Sequence, residues 1–287
     1  MDAPRNQFFF PATFAELFQH WSQAPDAVPF AGGTRMARYC GERARAIPRN
    51  VLSLHRLEDL RRVTRSERYL EIGAMVTLNE IIGLGKIVPE VFIRCLSEAG
   101  DFQIRNLGTL GGNICACPHR LDAAAPLIAL DAHCELRAAS GVRWISAARF
   151  FSDPGSLALG PRELLTRIRI PLGQWDYSLY RKFKAGEQGN RSAVTAFMLR
   201  NQKNVLTDIR LVFSGDAVLR DRNSETLLIG KPLPLERRDV HSFVEQWEAA
   251  MLHSQTQIRI QSRPLMDDFL RARIVNFIAT NLLSLTD

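Results

Sequence analysis

Two short segments of the chain carry paired glycines beside hydroxyl or amide side chains: A-G-G-T at residues 31–34 and G-T-L-G-G-N at residues 108–113. Glycine lets backbone N–H groups turn toward one point and lets a ligand approach closely. A diphosphate needs several such donors at once. Neither segment fits the G-x-G-x-x-G or G-x-x-x-x-G-K-[S/T] phosphate patterns. A diphosphate site and a pair of plain tight turns therefore both stay open at this point.

Thiol and imidazole groups follow the second glycine pair. Cys115, Cys117 and His119 alternate, so an extended strand would place them on one side. A metal site needs about four ligands, or three and a water, and the only other nearby candidate is Cys134. The chain has no C-x-x-C pair, and no histidine and acid can be paired with a nucleophilic cysteine by spacing. We therefore predict no metal site and no catalytic residue in this chain.

Asp122 begins the helix-like stretch after this cluster. Its carboxylate suits the N-cap of that helix. It equally suits a ligand with hydroxyl groups, because a carboxylate can accept two hydrogen bonds from a sugar or polyol. Both interpretations remain open from the residues alone.

Composition limits the class of protein. The 287 residues suffice for two domains, and 46% apolar with 23% charged residues is typical of a globular protein. No run of 18 apolar residues is present, which predicts no membrane span, and the first residues do not form a secretory signal. The net charge of +7 comes from dispersed arginines, which argues against nucleic acid as a partner. Five cysteines, an odd number, are expected as free thiols in a cytoplasmic protein.

The first fifty residues are predicted to form a small α/β unit. Thr13 and Glu16 fit a T-x-x-E capping box that opens a helix with one apolar stripe. The apolar run before Gly32 and the segment N-V-L-S-L-H-R-L read as strands. The unit is thus strand, helix and strand around a diglycine turn.

The next hundred residues repeat the alternation of strand and helix. We predict a strand from Leu70 to Ala74, a helix opened by a Thr77–Glu80 capping box, and a helix ending at Gly100. A loop over residues 103–122 and a helix around residues 127–130 follow. A hairpin turning at Ser140-Gly141 and a strand in E-L-L-T-R-I-R-I-P complete the region.

The pattern changes at residues 172–178. Three apolar segments, S-L-Y-R-K-F-K, A-V-T-A-F-M-L-R and T-D-I-R-L-V-F-S-G-D-A-V-L-R, predict strands of an antiparallel sheet. A helix is expected from Glu236 to Leu252 and a long one from Leu265 to Leu285. The apolar stripe of the long helix is expected at Phe269, Ile274, Phe277, Ile278, Leu282 and Leu285. This order predicts a second, α+β domain.

Six of these segments in order resemble the FAD-binding subunit of the molybdenum hydroxylases, the xanthine dehydrogenase and carbon monoxide dehydrogenase family. They are F-A-G-G-T-R-M, I-G-A-M-V-T-L-N-E-I, I-R-N-L-G-T-L-G-G-N-I, D-A-A-A-P-L-I-A-L-D-A, E-L-L-T-R-I-R-I-P and Y-R-K-F-K. R-N-L-G-T-L-G-G-N-I is highly specific, whereas A-G-G-T alone would not be. The resemblance, and not the spacing, leads from a diphosphate to FAD.

The resemblance implies an α+β fold. Residues 1–173 would form an FAD-binding domain of the vanillyl-alcohol-oxidase (PCMH) type, with two α/β subdomains at about 1–56 and 57–173. Residues 174–287 would form a C-terminal α+β domain of an antiparallel sheet with helices.

The resemblance also assigns cofactor-binding residues. One side of the FAD diphosphate would be held by the first glycine segment and its neighbours: Phe30, Ala31, Gly32, Gly33, Thr34, Arg35 and Met36. The other side would be held by Gly108, Thr109, Gly111, Gly112 and Asn113. Asp122 would bind ribityl or ribose hydroxyls, and Gln103 and Ile104 would lie beside the flavin or the adenine. Leu164 or Leu165 would pack near the adenine, and Lys182, or alternatively Lys184, would approach the flavin ring.

Two positions depart from the family pattern. Arg35 stands where the family usually has an acid, and C-P-H-R-L-D replaces S-P-x-x-D, although the count from Asn113 to Asp122 is kept. These departures motivate a flavin-free assembly or scaffold subunit as an alternative.

The function implied is that of one subunit in a complex. A molybdopterin-binding large subunit would oxidise the substrate, and a small subunit with two [2Fe–2S] clusters would pass electrons to FAD in this chain. NAD⁺ or another acceptor would then receive them. A stand-alone FAD-dependent oxidoreductase of the same fold is the second alternative.

Overall fold

The computed structural model describes residues 6–34, 48–115, 122–152, 156–185, 191–215, 218–257 and 268–285. The helices in these ranges are α1 Phe14–Gln23, α2 Leu78–Gly83, α3 Glu90–Ser97, α4 Phe102–Leu107, α5 Leu110–Cys115, α6 Ala124–Ala129, α7 Ala147–Phe150, α8 Arg222–Leu228, α9 Arg237–Gln257 and α10 Asp268–Leu283. The strands are β1 Gln7–Phe9, β2 Val28–Phe30, β3 Asn50–Ser53, β4 Val63–Arg65, β5 Tyr69–Gly73, β6 His133–Ala138, β7 Gly141–Ser146, β8 Leu164–Pro171, β9 Tyr177–Ala185, β10 Arg191–Gln202, β11 Val205–Ser214 and β12 Val218–Arg220. Short 3₁₀ helices span Glu58–Arg61 and Gly85–Ile87.

The first unit is a three-stranded parallel sheet in the order β1-β3-β2, with α1 between β1 and β2. Leu17 and Trp21 bury the apolar stripe of α1. Thr13 Oγ1 accepts from the N–H of Glu16 at 3.2 Å, as a capping box requires. The Glu16 carboxylate, however, accepts from the N–H of Ala12 at 2.8 Å. The predicted α/β unit is confirmed. Its capping box differs in one bond: the Glu16 carboxylate accepts from the N–H of Ala12 and not from that of the N-cap residue, Thr13.

The second unit is a five-stranded antiparallel sheet in the order β4-β5-β8-β6-β7. Thr77 and Glu80 make both bonds of the capping box that opens α2. The hairpin of β6 and β7 turns where the sequence predicts. Phe92, Leu127 and Ile168 lie in the core between this sheet and its helices. In this strand order β8 lies at the centre of the sheet, between β5 and β6.

The third unit is a four-stranded antiparallel sheet in the order β12-β11-β10-β9. Phe197 and Leu199 of β10 pack with Trp247 of α9 on one face. Ala196 and Met198, on the other face, join the core of the second unit. Both faces of β10 are covered, which explains why every residue of A-V-T-A-F-M-L except Thr195 is apolar.

The third sheet is tied to the second unit by charge as well as by apolar contact. Asp131, just after α6, pairs with Arg210 at 2.6 Å and with Arg220 at 3.1 Å. Arg210 also donates to the carbonyl oxygen of Ala129 at 2.6 Å. The core of the second unit and these ion pairs both contain residues from before and after residue 173. The domain boundaries expected from the sequence therefore stay a prediction.

Three sequence expectations are wrong. Residues 103–115 form α4 and α5 rather than a loop, and α3 ends at Ser97 rather than at Gly100. The side chain of Phe269 is 73% exposed and does not continue the buried stripe of α10. No helix among the described residues combines the length and apolar character that a membrane crossing requires.

Candidate functional site

The two glycine segments, far apart in sequence, lie against each other. A Cβ atom on Gly32 would overlap the backbone carbonyl oxygen of Leu107. A Cβ on Gly108 would lie 3.7 Å from Thr34 Oγ1, and one on Gly112 would lie 3.7 Å from Ala31 Cβ. Glycine at these positions allows the two backbones to approach this closely.

The first segment is held in place by its neighbours. Gly33 has φ +67°, a left-handed conformation that favours glycine, and a Cβ there would lie 2.7 Å from the Phe30 ring. His55 Nε2 donates to the carbonyl oxygen of Ala31 at 3.0 Å, since a carbonyl can only accept. Within the described residues, no acceptor takes the N–H groups of residues 32–34. These N–H groups are therefore available to an anion.

The second segment offers fewer donors than its sequence indicates. Leu110 N–H donates to Val76 O at 2.9 Å, and Gly111 N–H donates to Ala74 O at 2.8 Å. A Cβ on Gly111 would lie 2.8 Å from Ala74 Cβ. Gly111 thus serves close packing against the strand end, and its N–H is already used.

Thr109 and Gly112 form the start of α5. The buried Thr109 accepts from the Gly112 N–H through Oγ1 at 3.1 Å. This bond caps the helix. Asn113, one residue further along α5, is half-buried. The side of α5 that carries Gly112 therefore faces the first glycine segment, at Ala31.

The segment I-R-N, residues 104–106, holds α4 in position. Arg105 donates to Asn79 Oδ1 at 3.1 Å and to the carbonyl oxygens of Ser97 and Gly100. Asn79 donates in turn to Asn106 Oδ1 at 2.6 Å. Neither Arg105 nor Asn106 was among the sequence-predicted site residues, and their role is to fix α4 against α2 and α3.

The short helix α4, which ends at Leu107 beside Gly32, exposes three apolar side chains. Phe102 and Leu107 are 65% and 61% exposed, and Ile104 is 37% exposed. Gln103 is exposed on the same short helix. Exposed apolar side chains next to a backbone-lined cradle suit a ligand that combines an anion with aromatic rings.

Asp122 is not the N-cap of α6, because that position is Ala123 and carries no side-chain cap. Its carboxylate forms an ion pair with Lys182 of β9. The two side chains are only 18% and 16% exposed. Lys184, the alternative lysine, is exposed. The structure therefore brings Asp122 and Lys182 together and leaves Lys184 outside this contact.

The remaining predicted residues have other positions. Leu164 and Leu165 of β8 are 7% and 3% exposed, and their side chains lie in two different cores. Arg35 and Met36 fall outside the described residues, as do Cys117 and His119.

Three free cysteines among the described residues lie in the second unit: Cys95 and Cys134 are buried, and Cys115, at the end of α5, is partly buried. Burial raises the pKa of Cys115 and that of Cys134 to about 12. Burial also raises the pKa of Cys95 well above its usual range. These three free thiols stay protonated at neutral pH and are poor nucleophiles. Among the residues that the structure describes, no three or more histidine, cysteine or acidic side chains are grouped to hold a metal.

Comparison with protein families gives one match that covers more than half of the chain. A family described as FAD binding domain in molybdopterin dehydrogenase matches residues 4–173.

Relatives of similar length carry names from the same group. The glyceraldehyde dehydrogenase medium chain of Sulfolobus acidocaldarius is 31% identical over 71% of this chain and 74% of that protein. The carbon monoxide dehydrogenase medium chain of Hydrogenophaga pseudoflava is 28% identical over 82% of this chain and 84% of that protein. The xanthine dehydrogenase FAD-binding subunit of Escherichia coli O157:H7 is 31% identical over 56% of each.

Solved structures show the same architecture over the whole chain. A chain of a Cu,Mo carbon monoxide dehydrogenase has TM-score 0.77 at 22% identity, covering 98% of this chain and 97% of that one. A chain of quinoline 2-oxidoreductase from Pseudomonas putida 86 also has TM-score 0.77, at 21% identity, covering 99% and 97%. The predicted α+β fold of the vanillyl-alcohol-oxidase type is confirmed.

Proposed function

The chain belongs to the family of FAD-binding domains of molybdopterin dehydrogenases, and on that premise we propose that its two glycine segments hold the diphosphate of one FAD. The observation that carries this proposal is the close approach of residues 31–34 to residues 107–112. A Cβ at Gly32 would overlap the Leu107 carbonyl oxygen, and one at Gly112 would extend toward Ala31. Unused N–H groups at residues 32–34 supply the donors that a diphosphate requires.

Other residues would bind the remaining parts of the cofactor. The exposed apolar side chains of α4, with Gln103 and Ile104, suit the aromatic rings of FAD. Asp122 would accept from ribityl or ribose hydroxyls. By the family resemblance alone, the segment at Leu164 and Leu165 would lie near the adenine, and Arg35, Met36, Asn113 and Lys184 would flank the cofactor.

A bound flavin would supply the electron-transfer chemistry, and the task of this chain is to bind it, orient it and set the charge around it. The cradle does so with backbone groups fixed by packing: Gly111 against Ala74, and His55 on the Ala31 carbonyl. A cradle that is fixed by packing loses little conformational freedom when its ligand binds.

Flavin titration tests this proposal. Flavin-free protein should bind FAD at one per chain and bind FMN much more weakly, because FMN lacks the second phosphate and the adenosine. The measurement is quenching of flavin fluorescence on addition of protein. A folded protein that binds neither flavin would overturn the proposal and favour the flavin-free scaffold.

We further propose that the chain is the flavoprotein subunit of a larger oxidoreductase. A partner with [2Fe–2S] clusters would deliver electrons to its FAD, a large molybdopterin subunit would oxidise the substrate, and NAD⁺ or another acceptor would take the electrons. The relatives named as medium chains support this arrangement. The tagged chain, isolated from its own cells, should copurify with molybdenum and iron. Isolation of an active flavoprotein free of both metals would favour the stand-alone enzyme. Addition of NAD⁺ to the reduced complex would test whether NAD⁺ is the electron acceptor.

A further inference from the structure

An ion pair joins the FAD-binding part of the chain to the C-terminal sheet. Lys182 Nζ, on β9, donates to Oδ2 of Asp122, which lies between α5 and α6. Both side chains are more than four-fifths shielded from solvent. Ion pairs of this kind are weakly screened and depend on both partners, since removal of one leaves a shielded charge behind.

Asp122 is held from two sides. The thiol of Cys95 on α3 donates to its backbone carbonyl oxygen at 3.4 Å. Lys182 holds Oδ2 of the carboxylate, so that Oδ1 is the oxygen left to accept from a ligand hydroxyl.

Asp122 carries a charge of the same sign as the phosphates of FAD, so a neutralising partner reduces its unfavourable interaction with the cofactor. The ammonium group of Lys182 provides that neutralisation directly. Through this pair the lysine would act on the cofactor by way of Asp122.

We propose that Lys182 is a positioning residue for FAD: it orients and neutralises Asp122, and so makes the C-terminal sheet part of the flavin site. This inference rests on the proposed function. It differs from the expectation that Lys182 itself approaches the flavin.

A double-mutant cycle on the full chain separates the two roles. The FAD dissociation constant is measured for Asp122→Asn, for Lys182→Met and for the double variant, together with the unfolding temperature of each flavin-free protein. Lys182→Met should weaken FAD binding about tenfold, and the double variant should bind no more weakly than Asp122→Asn alone. Lys182→Arg keeps the positive charge and should bind FAD with the affinity of the wild-type protein. This variant still tests the role of the charge if Lys182→Met folds poorly.

Asp131→Asn is the matched control. Asp131 forms two further ion pairs between the same two parts of the chain, beyond the opposite end of α6. Its loss should lower the unfolding temperature and leave the FAD dissociation constant unchanged.

Two results would overturn the inference. Losses that multiply in the double variant would mean that Lys182 acts independently of Asp122. An unchanged dissociation constant in Lys182→Met, with a lowered unfolding temperature, would mean that the pair only ties the sheet in place. A folded wild-type protein that binds no FAD would instead refute the proposed function, and this role of Lys182 with it.

Discussion

Replacing Gly112 with alanine should weaken FAD binding while changing the stability of the fold very little. The added Cβ would lie 2.8 Å from Thr109 Oγ1 and 3.7 Å from Ala31 Cβ. The hydroxyl can rotate away, at the cost of the Gly112 N–H bond, about 1 kcal/mol. Alanine in place of glycine within a helix returns up to about 1 kcal/mol. The free energy of unfolding should therefore change by less than about 1 kcal/mol.

The same methyl group enters the space between the two glycine segments. We expect the FAD dissociation constant to rise at least about tenfold, which corresponds to about 1.4 kcal/mol. Gly112→Asp should abolish flavin retention, because a like charge beside the diphosphate costs several kcal/mol.

Denaturant unfolding of the flavin-free variants and fluorescence titration with FAD measure the two effects separately. Gly83→Ala, at the end of α2, is the control, since a Cβ there meets nothing within 4 Å. It should change neither quantity by more than about 1 kcal/mol. A folded Gly112→Asp protein with wild-type affinity for FAD would refute the cradle.

Three further predictions concern the stability of the fold. Gly32→Ala should lower the free energy of unfolding by about 3 kcal/mol or more in denaturant titrations, because its Cβ would overlap backbone that no side-chain rotation can clear. Arg105→Met should cost about 2 kcal/mol in the same assay and weaken FAD binding, because α4 loses its bonds to Asn79 and to two carbonyl groups. The hydrogen bonds from Arg143 hold the pKa of Glu163 below its ordinary value of 4.5. This carboxylate therefore stabilises the fold above pH 4.5 and loses that effect as the pH falls through the lowered pKa, so Glu163→Gln should be less stable than wild type at pH 7 and equal to it in strong acid.

The sequence predicts the elements well where local signals are strong. The Thr77–Glu80 box opens α2, and the alternating and continuous apolar runs become strands of the predicted sheets. The periodicity of apolar residues shows which face of a helix is apolar, but it does not show how far along the helix that face is covered. Phe269, at the start of α10, fits the apolar pattern and is nevertheless exposed.

The glycine pairs are recognisable in the sequence, but the helix that contains the second pair is not. Residues 110–115 form a helix despite two glycines of low helix propensity, because Leu110 and Ile114 bury one face and Thr109 caps the first turn. Tertiary packing outweighs propensity there.

Long-range contacts were beyond local reasoning. His55 on the Ala31 carbonyl, and Lys182 on Asp122, depend on residues 24 and 60 positions apart. The sequence resemblance placed Asp122 and Lys182 in the same site, but no spacing rule pairs them. The Lys182–Asp122 contact forms because β9 packs beside α3, whose Cys95 also contacts Asp122.

Flavin binding is tested most directly by the identity and amount of chromophore that the purified protein carries. The protein is denatured by heat, and the released compound is separated by chromatography and compared with FAD, FMN and riboflavin standards. The released compound should be FAD, at about one molecule per chain after saturation and removal of excess cofactor. A folded chain that carries none and still takes up none on incubation with FAD would contradict it.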